Sequence, residues 1–402
     1  MQAQRLPRIA AWSAIAAAFG RLGLTSFGGP IAHLGYFRDE FVVRRRWLTD
    51  TSYAELVALC QFLPGPASSQ VGFAIGLQRG GVIGGFIAWA LFTLPSALML
   101  LAFAYGAATL TEGWAHAALH GLKLVAVAVV AQAVWGMART LCPDLFRAVL
   151  AVVAALLVAA LPGVAGHLGA IVLGASAGLW GCRQLPLPAD PGAALQSPLG
   201  RRAGLLLLLL FFLLLLGLPL VAERWSPAGL FDVFYRAGAL VFGGGHVLLP
   251  LLEPSVVGRG WLSEDQFLAG YGAAQAIPGP LFTFAAYVGA LVTPGPSGVA
   301  GAAIALLAVS LPGLLLVLGV LPFWAVLRRR RTARAAMAGA NAAVVGILAA
   351  ALCDPVWTSA VHSLADLAIV LVAFLLLVVW RQPPWRVVLL TVLAAMSLTW
   401  LG

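Results

Sequence analysis

The sequence predicts an all-α, polytopic membrane protein made of two homologous halves. Of its 402 residues, 62% are hydrophobic and only 9% are charged, whereas a soluble domain carries roughly 25% charged residues. Apolar runs at 9–24, 82–106, 203–222 and 363–380 approach or exceed the roughly 20 residues that cross a bilayer as a helix. The runs are continuous and do not alternate with a period of two, which favours helices over a β-barrel.

The charge distribution points to a lipid partner and away from nucleic acid. The formal charge of +10 arises from 24 Lys and Arg against 14 Asp and Glu. Arginines cluster at the ends of apolar runs, at 44–46 and 328–331, as in cytoplasmic loops of membrane proteins. The four cysteines are scattered and lack the spacing of a zinc site. The sequence also lacks a Walker loop and a catalytic triad pattern, so we predict no cofactor, no metal and no enzyme activity.

An internal repeat divides the chain. The first copy has Phe-Gly-Gly-Pro at 27–30, and the second has Phe-Gly-Gly-Gly at 242–245. In each copy a Trp-Leu pair follows, and fourteen residues after the tryptophan a glutamine precedes a Pro-Gly-Pro turn, at Gln61 and Gln275. Such self-similarity indicates duplicated structure. We predict halves at 1–181 and 223–402, joined at 182–222 by a linker with a Pro-rich stretch at 185–198 and one extra transmembrane helix.

The arginine bias predicts that the two halves are inverted. Three arginines precede Trp47 in the first half, but only Arg259 lies near the equivalent Trp261 in the second. The loops that follow later in each half show the opposite bias: the first contains Glu112, and the second contains four arginines at 328–331. Because cytoplasmic loops are enriched in Lys and Arg, the halves should face opposite sides, as in many secondary transporters. Inversion needs an odd number of crossings between equivalent points, and the run at 146–180 could count as one crossing or two.

The two Pro-Gly-Pro turns predict re-entrant helical hairpins. The turns separate apolar arms at 53–63 and 67–77 in one half, and at 267–277 and 281–291 in the other. Each arm is about 16 Å long as a helix, too short to cross a bilayer. A kinked transmembrane helix is the alternative interpretation. In the hairpin, free N–H groups of the arm after each turn would favour an anion.

Two further features suggest an anion site near these turns. The glycine pairs Gly28–Gly29 and Gly243–Gly244 permit either close helix packing or a broken helix with free amides. Arg21 and Arg236 each lie six residues before a Phe-Gly-Gly motif, inside apolar sequence, where an arginine needs a partner. That partner could be a substrate oxyanion, or an acid such as Asp39, Asp232 or Glu253, unless the side chain snorkels. The predicted ligand-binding residues are Arg21, Gly28, Gly29, Gln61, Pro64, Gly65, Pro66, Ser68, Ser69, Lys123, Arg236, Gly243, Gly244, Gln275, Pro278, Gly279, Pro280 and Thr283.

These motifs resemble the chromate ion transporter family in its two-domain form. The resemblance rests on the Phe-Gly-Gly-Pro start, the stretch to Trp47, the turn at 61–66 and the degenerate second copy at 242–280. It implies a bacterial inner-membrane protein that exports chromate and confers chromate resistance, with sulfate as a competing tetrahedral dianion. The second copy departs from the first in having Gly245 in place of Pro30, and in lacking the polar Ser69 and Gln70 after its turn.

The leading hypothesis is therefore a secondary transporter that binds chromate through Arg21, Arg236 and backbone amides at the helix breaks. Replacing either arginine with alanine should then abolish chromate export. Energy would come from the membrane potential or a proton gradient. An anion channel and a sulfate-type oxyanion transporter are the alternatives, and a homodimer is an open possibility for the assembly.

Overall fold

The protein is a multi-pass membrane protein with a helical fold. In a computed structural model, residues 8–109, 113–161, 163–184, 195–222, 226–293 and 295–401 are described, and all regular elements in these ranges are helices. Six of the helices in these ranges are long and apolar enough to cross a membrane. Pro162, Thr111, Glu112 and residues 185–194 of the predicted Pro-rich linker lie outside the described residues.

The described part of the first half contains seven α-helices. Helix α2 continues as a π-helical turn over Asp39–Arg44. Helix α4 is broken at Gly81, whose φ of 69° is not helical, so a short arm at 67–80 is followed by a long segment at 82–109. The helices are α1 (Arg8–Thr25), α2 (Gly29–Arg38), α3 (Asp50–Phe62), α4 (Ala67–Thr109), α5 (Gly113–Leu141), α6 (Leu145–Ala160) and α7 (Val164–Gly181).

The rest of the described chain begins with the extra helix and then repeats the order of the first half. Single 3-10 turns precede α10, α12 and α14. The helices are α8 (Arg201–Ala222), α9 (Ser226–Leu240), α10 (Leu248–Val256), α11 (Glu264–Ala276), α12 (Phe284–Leu291), α13 (Gly298–Val320), α14 (Trp324–Leu327), α15 (Arg331–Ala351), α16 (Leu364–Val378) and α17 (Pro384–Leu401). Helix α8, predicted at 203–222, is leucine-rich and only 6% of its apolar window is buried, as expected of a surface that faces lipid.

The last two helices of each half pack against the other half. Helices α6 and α7 pack on α15 of the second half, and α16 and α17 pack on α5 of the first half. Glycines permit the close approach: a Cβ atom on Gly178 would lie 2.3 Å from the Ala335 carbonyl oxygen, and one on Gly121 would lie 2.7 Å from the Val392 Cα. Small residues at such crossings are the usual packing device between membrane helices. The halves therefore share one core.

At each Pro-Gly-Pro turn the chain folds back and does not continue as one kinked helix. In the first half the Arg79 guanidinium lies 5.2 Å from the centre of the Trp47 ring, so the arm after the turn returns to where the hairpin began. In the second half the Thr293 N–H donates to the Trp261 carbonyl at 3.1 Å. These two contacts join equivalent positions of the repeat. The position of the hairpins within a membrane remains a prediction.

Helices α1 and α2 also fold back on each other. The Phe19 and Phe41 rings stack with centroids 4.9 Å apart. The Trp12 indole N–H donates to the Gly80 carbonyl at 3.0 Å, while a Cβ on Gly23 would meet the Leu91 carbonyl oxygen at 2.6 Å. Helix α1 therefore runs parallel to the long segment of α4, and α2 returns to the side where α1 started.

The number of crossings supports the predicted inversion. The pair α1–α2 and the α3–α4 hairpin each return to the side on which they begin, so neither adds a net crossing. Between the starts of α1 and α9, the segments that pass from one side to the other are then the long part of α4, followed by α5, α6, α7 and α8. The run at 146–180 contributes two of them, since α6 and α7 fold back and Gly181 packs on the Phe146 ring. Counted with α6, whose 16 residues make it shorter than the six long apolar helices, these described segments number five, an odd number as inversion requires. The orientation of the halves in a membrane remains a prediction.

Charge separates the two ends of the molecule. We call one end the arginine face; it carries Arg44, Arg45, Arg46, Arg79, Arg147, Arg328, Arg329, Arg330, Arg331 and Arg334. Here Arg328 of the second half contacts Glu55 of α3. The acidic face at the other end carries Glu264, Asp265, Asp354 and Asp366, beside the cations Lys123 and Arg259. By the positive-inside rule the arginine face should lie in the cytoplasm.

Labelling of equivalent residues tests the inversion. Thr51 and Asp265 occupy equivalent positions at the starts of α3 and α11, and both are exposed. In a variant without the native cysteines, we expect Asp265→Cys to react with a membrane-impermeant maleimide in intact cells. Thr51→Cys should react only after the membrane is permeabilised. Labelling of both positions from the same side would contradict the inverted arrangement.

Candidate functional site

Each Pro-Gly-Pro turn is anchored in the other half. The Gly65 N–H donates to the Val241 carbonyl at 2.7 Å, and the Gly279 N–H donates to the Ser26 carbonyl at 2.8 Å. Val241 and Ser26 each directly precede a Phe-Gly-Gly motif. The two hydrogen bonds are therefore equivalent and reciprocal, and they join the four helix breaks at the boundary between the halves.

Polar groups at the two Pro-Gly-Pro turns form hydrogen bonds within the protein. The Gln70 side-chain amide donates to the carbonyls of Pro64 at 2.9 Å and Gly313 at 3.2 Å, and the Thr283 hydroxyl donates to the Pro280 carbonyl at 2.8 Å. The predicted site residues Gly65, Pro66, Ser68, Ser69, Pro278, Pro280 and Thr283 are buried, and Pro64 and Gly279 are half-buried. The N–H groups of Gly65 and Gly279 thus hold the halves together and are not free for a ligand.

The glycine pairs break helices. Gly28 and Gly29 have φ values of 103° and 78°, and Gly243 and Gly244 have values of 76° and 137°. These angles lie in the region that favours glycine. Helix α1 ends before the first pair and α9 ends before the second. The helix breaks at both pairs, and Gly243 is also closely packed, since a Cβ there would lie 2.7 Å from the Met137 Cε.

The two predicted arginines do not share a site. Arg21 is exposed on α1, whereas Arg236 on α9 is half-buried and forms an ion pair with Asp232, one of the acids suggested from the sequence. Arg236 also lines a cavity of about 20 Å³ with His167 and Ser255. A cavity of this size holds about one water molecule, which is too little for a tetrahedral oxyanion.

Lys123 and Gln275 lie away from the arginine face. The Lys123 ammonium is 2.8 Å from an Asp265 carboxylate oxygen and 3.1 Å from the Ser359 carbonyl, so it joins the halves near the acidic face. The Gln275 side-chain nitrogen is buried and has no hydrogen-bond partner in the part of the chain that the structure describes. Gln61, its equivalent, is exposed to the cavity described next.

A larger cavity opens on the arginine face, between α3 and α15, and we call it the arginine cavity. Its volume is about 450 Å³, within the range of small-molecule sites. Gln61, next to the first Pro-Gly-Pro turn, is the predicted site residue that reaches it. The lining residues are Glu55, Ala58, Gln61, Phe62, Thr140, Leu141, Arg147, Trp324, Arg328, Arg334, Met337, Ala338 and Asn341.

The three arginines of this cavity differ in whether a carboxylate pairs with them. Arg328 lies 2.5 Å from a Glu55 carboxylate oxygen, and Arg147 lies 2.5 Å from Asp144 in the loop before α6. The hydrogen bond from the Arg147 side chain holds the pKa of the Asp144 carboxyl below its usual value. In the described part of the chain, Nη1 of Arg334 is buried and has no hydrogen-bond partner. Arg334 therefore has donor capacity that an oxyanion could fill.

Comparison with known proteins places these features in a family. The family model for the chromate transporter matches residues 13–182 and 228–398. The chain belongs to the chromate transporter family. A chromate transport protein of Cupriavidus metallidurans is 29% identical over 89% of the chain and 86% of the relative. One of Pseudomonas aeruginosa is 28% identical over 70% of the chain and 67% of the relative. No solved structure matches significantly.

In this chromate transporter family member, the sequence did not reveal most of the cavity. At the level of sequence, Arg328 and Arg334 only mark a cytoplasmic loop, and Arg147 and Glu55 belong to no motif. Arg328 and Glu55 are 273 residues apart in the chain, and only the packing of the two halves brings them together. The available signal was weak: Glu55 is the one charged residue of the arm at 53–63 and has no acidic equivalent in the second copy.

Proposed function

We propose that the chain is a secondary transporter that exports chromate across the bacterial cytoplasmic membrane and so confers chromate resistance. The observation that carries this proposal is the arginine cavity, which opens on the face expected to be cytoplasmic. It contains a buried guanidinium nitrogen that has no hydrogen-bond partner among the described residues. The relatives named above are described as chromate transport proteins.

The cavity suits a small oxyanion. Guanidinium groups present planar pairs of N–H donors that match the oxygen atoms of an oxyanion. Phe62, Leu141 and Met337 supply apolar walls, which lower the local dielectric constant and strengthen these charge interactions. Chromate and sulfate are both tetrahedral dianions, so sulfate should compete. The size and charge of the cavity therefore define a substrate class, and the relatives indicate chromate within it.

The membrane potential can drive this export. A potential that is negative inside favours the exit of each negative charge by about 2.3 kcal/mol per 100 mV, which amounts to about 4.6 kcal/mol for a dianion. In this proposal the two halves move relative to each other around the cross-anchored turns, as inverted-repeat transporters do. The apolar outer surface of α8 contacts lipid.

Flux of radiolabelled chromate into inside-out proteoliposomes tests the function. We expect saturable uptake that increases when the lumen is made positive, and that unlabelled sulfate inhibits. An imposed proton gradient with no potential separates the possible driving forces. Uptake that never exceeds electrochemical equilibrium under any coupling gradient, and that does not saturate, would favour an anion channel. Absence of protein-dependent chromate flux would contradict the proposal.

A further inference from the structure

One carboxylate lies among the three guanidinium groups of the arginine cavity. Among the described residues that line it, Glu55 is the sole acid. One Glu55 oxygen is 2.5 Å from Arg328 Nη1, and the other accepts a hydrogen bond from the Trp324 indole N–H at 2.9 Å. The Glu55 side chain is 15% exposed. Both of its partners belong to the other half of the protein.

The ion pairs of the cavity lining leave one guanidinium group without a carboxylate partner among the described residues. Glu55 neutralises Arg328, and Asp144 neutralises Arg147. Arg334 then remains as the single uncompensated charge of the described lining. A dianion would be better matched by two guanidinium groups. Arg328, which lines the same cavity, becomes fully available as the second one when the Glu55 carboxylate leaves it.

We propose that the Glu55 carboxylate competes with the substrate for Arg328. Glu55 pairs with Arg328 when no substrate is bound, and the arriving oxyanion displaces the carboxylate, so that Arg328 and Arg334 bind the dianion together. This inference rests on the proposed function and assigns a role to one residue of its site. Glu55 is a positioning residue because it acts through Arg328.

The exchange would couple substrate binding to movement of the two halves. Glu55 lies on α3, whose carboxyl end leads into the Pro-Gly-Pro turn, and Arg328 directly follows α14 in the other half. Displacement of Glu55 breaks this link when substrate is bound, and its return restores the link when substrate has left. A ligand shifts a conformational equilibrium only through such a difference in contacts between states. Glu55 would thus allow the empty transporter to reset.

The second copy of the repeat has no acidic residue at the position equivalent to Glu55. The position equivalent to Glu55 in the second half is Ala269, which is buried and uncharged. The acidic face therefore has no carboxylate on α11 at this point of the repeat. The asymmetry fits a transporter that captures its oxyanion at the arginine face and releases it at the acidic face.

Replacement of Glu55 by glutamine separates binding from turnover. Because a negative charge next to the dianion is removed, Glu55→Gln should bind radiolabelled chromate at least about tenfold more tightly. Net export should fall, since the empty transporter resets poorly, while exchange of labelled for unlabelled chromate should fall less. We expect the ratio of exchange to net export to rise at least about tenfold relative to the unmodified protein.

Two matched variants control for general effects. Asp50 also lies on α3 and forms an ion pair with Arg38, but both side chains are more than half exposed and neither lines the arginine cavity. Asp50→Asn should therefore change neither the affinity for chromate nor the ratio of exchange to net export. Glu55→Asp retains the charge and should restore part of the net export. In an Arg328→Gln background, Glu55→Gln should no longer increase affinity, because the group that it releases is absent.

The outcomes distinguish this inference from the proposed function. If the unmodified protein binds and transports chromate but Glu55→Gln leaves affinity and the exchange ratio unchanged, the competing role of Glu55 is wrong and the transport function stands. If the unmodified protein neither binds nor moves chromate, the proposed function itself fails. Should Glu55→Gln not fold, as judged by size-exclusion chromatography, Glu55→Ala takes its place: an affinity and exchange ratio equal to those of the unmodified protein would contradict the proposal.

Discussion

Arg334→Ala is expected to abolish most chromate transport. Arg334 is the one cavity guanidinium with a buried, unpartnered nitrogen in the described part of the chain, and an oxyanion would fill that position. Loss of a buried, hydrogen-bonded charge pair costs roughly 2 kcal/mol or more, which corresponds to at least about a 30-fold loss of affinity. Equilibrium binding of radiolabelled chromate to the purified protein measures this loss directly, and flux in proteoliposomes measures its consequence.

Arg329→Ala is the matched control for this variant. Arg329 belongs to the same arginine cluster but is exposed and does not line the cavity. It removes the same charge from the same face, so any general electrostatic attraction of chromate to the surface is lost equally in both variants. Equal losses of affinity in Arg334→Ala and Arg329→Ala would show that the cavity is not the binding site.

Arg236→Ala, by contrast, is expected to impair folding more than binding. The variant would leave the carboxylate of Asp232 uncompensated, and Asp232 is only 1% exposed. Removing one partner of a buried ion pair typically costs 3–5 kcal/mol of stability. A loss of export in this variant therefore says little about a substrate site unless its membrane expression is normal. Arg21→Ala removes an exposed side chain and is expected to affect transport less than Arg334→Ala.

Gly65→Ala is expected to destabilise the protein and to stop transport. Gly65 has a φ of +124°, and a Cβ there would lie 2.7 Å from the Gln70 side-chain nitrogen and 3.1 Å from the Gly313 Cα. The strained backbone costs about 1–3 kcal/mol, and the clash displaces the turn from the Val241 carbonyl that anchors it. The result should be a lower Tm in detergent and a loss of chromate flux.

Gly163→Ala separates backbone strain from the loss of the anchor. Gly163, between α6 and α7, also has a positive φ of +89°, but a Cβ there would meet nothing within 4 Å. It should lower stability only by the cost of the backbone conformation, about 1–3 kcal/mol, and leave chromate flux largely intact. If both alanine variants lose the same stability and activity, the cross-half anchor has no special importance.

Local and repeated features were predictable from the sequence. Continuous apolar runs exclude a water-soluble shell, so the helical membrane fold follows from composition and the cost of unpaired backbone groups in lipid. Proline and glycine act on the chain locally, so the breaks at Pro64–Pro66 and Pro278–Pro280 could be located to the residue. Duplication made the two halves visible, because the same breaks recur at a constant offset.

Which groups become partners was decided only by the tertiary structure. The sequence singled out Arg21 and Arg236 because they interrupt apolar runs and offered Asp232 among their possible partners, but it could not decide which acid pairs with Arg236. Nor could it show that Gly65 and Gly279 use their amides to bind the opposite half. Glu55, Arg328 and Arg334 form one cavity because α3, α14 and α15 converge. The sequence determines which groups need a partner, whereas three-dimensional packing alone decides which groups find one and which remain free for a ligand.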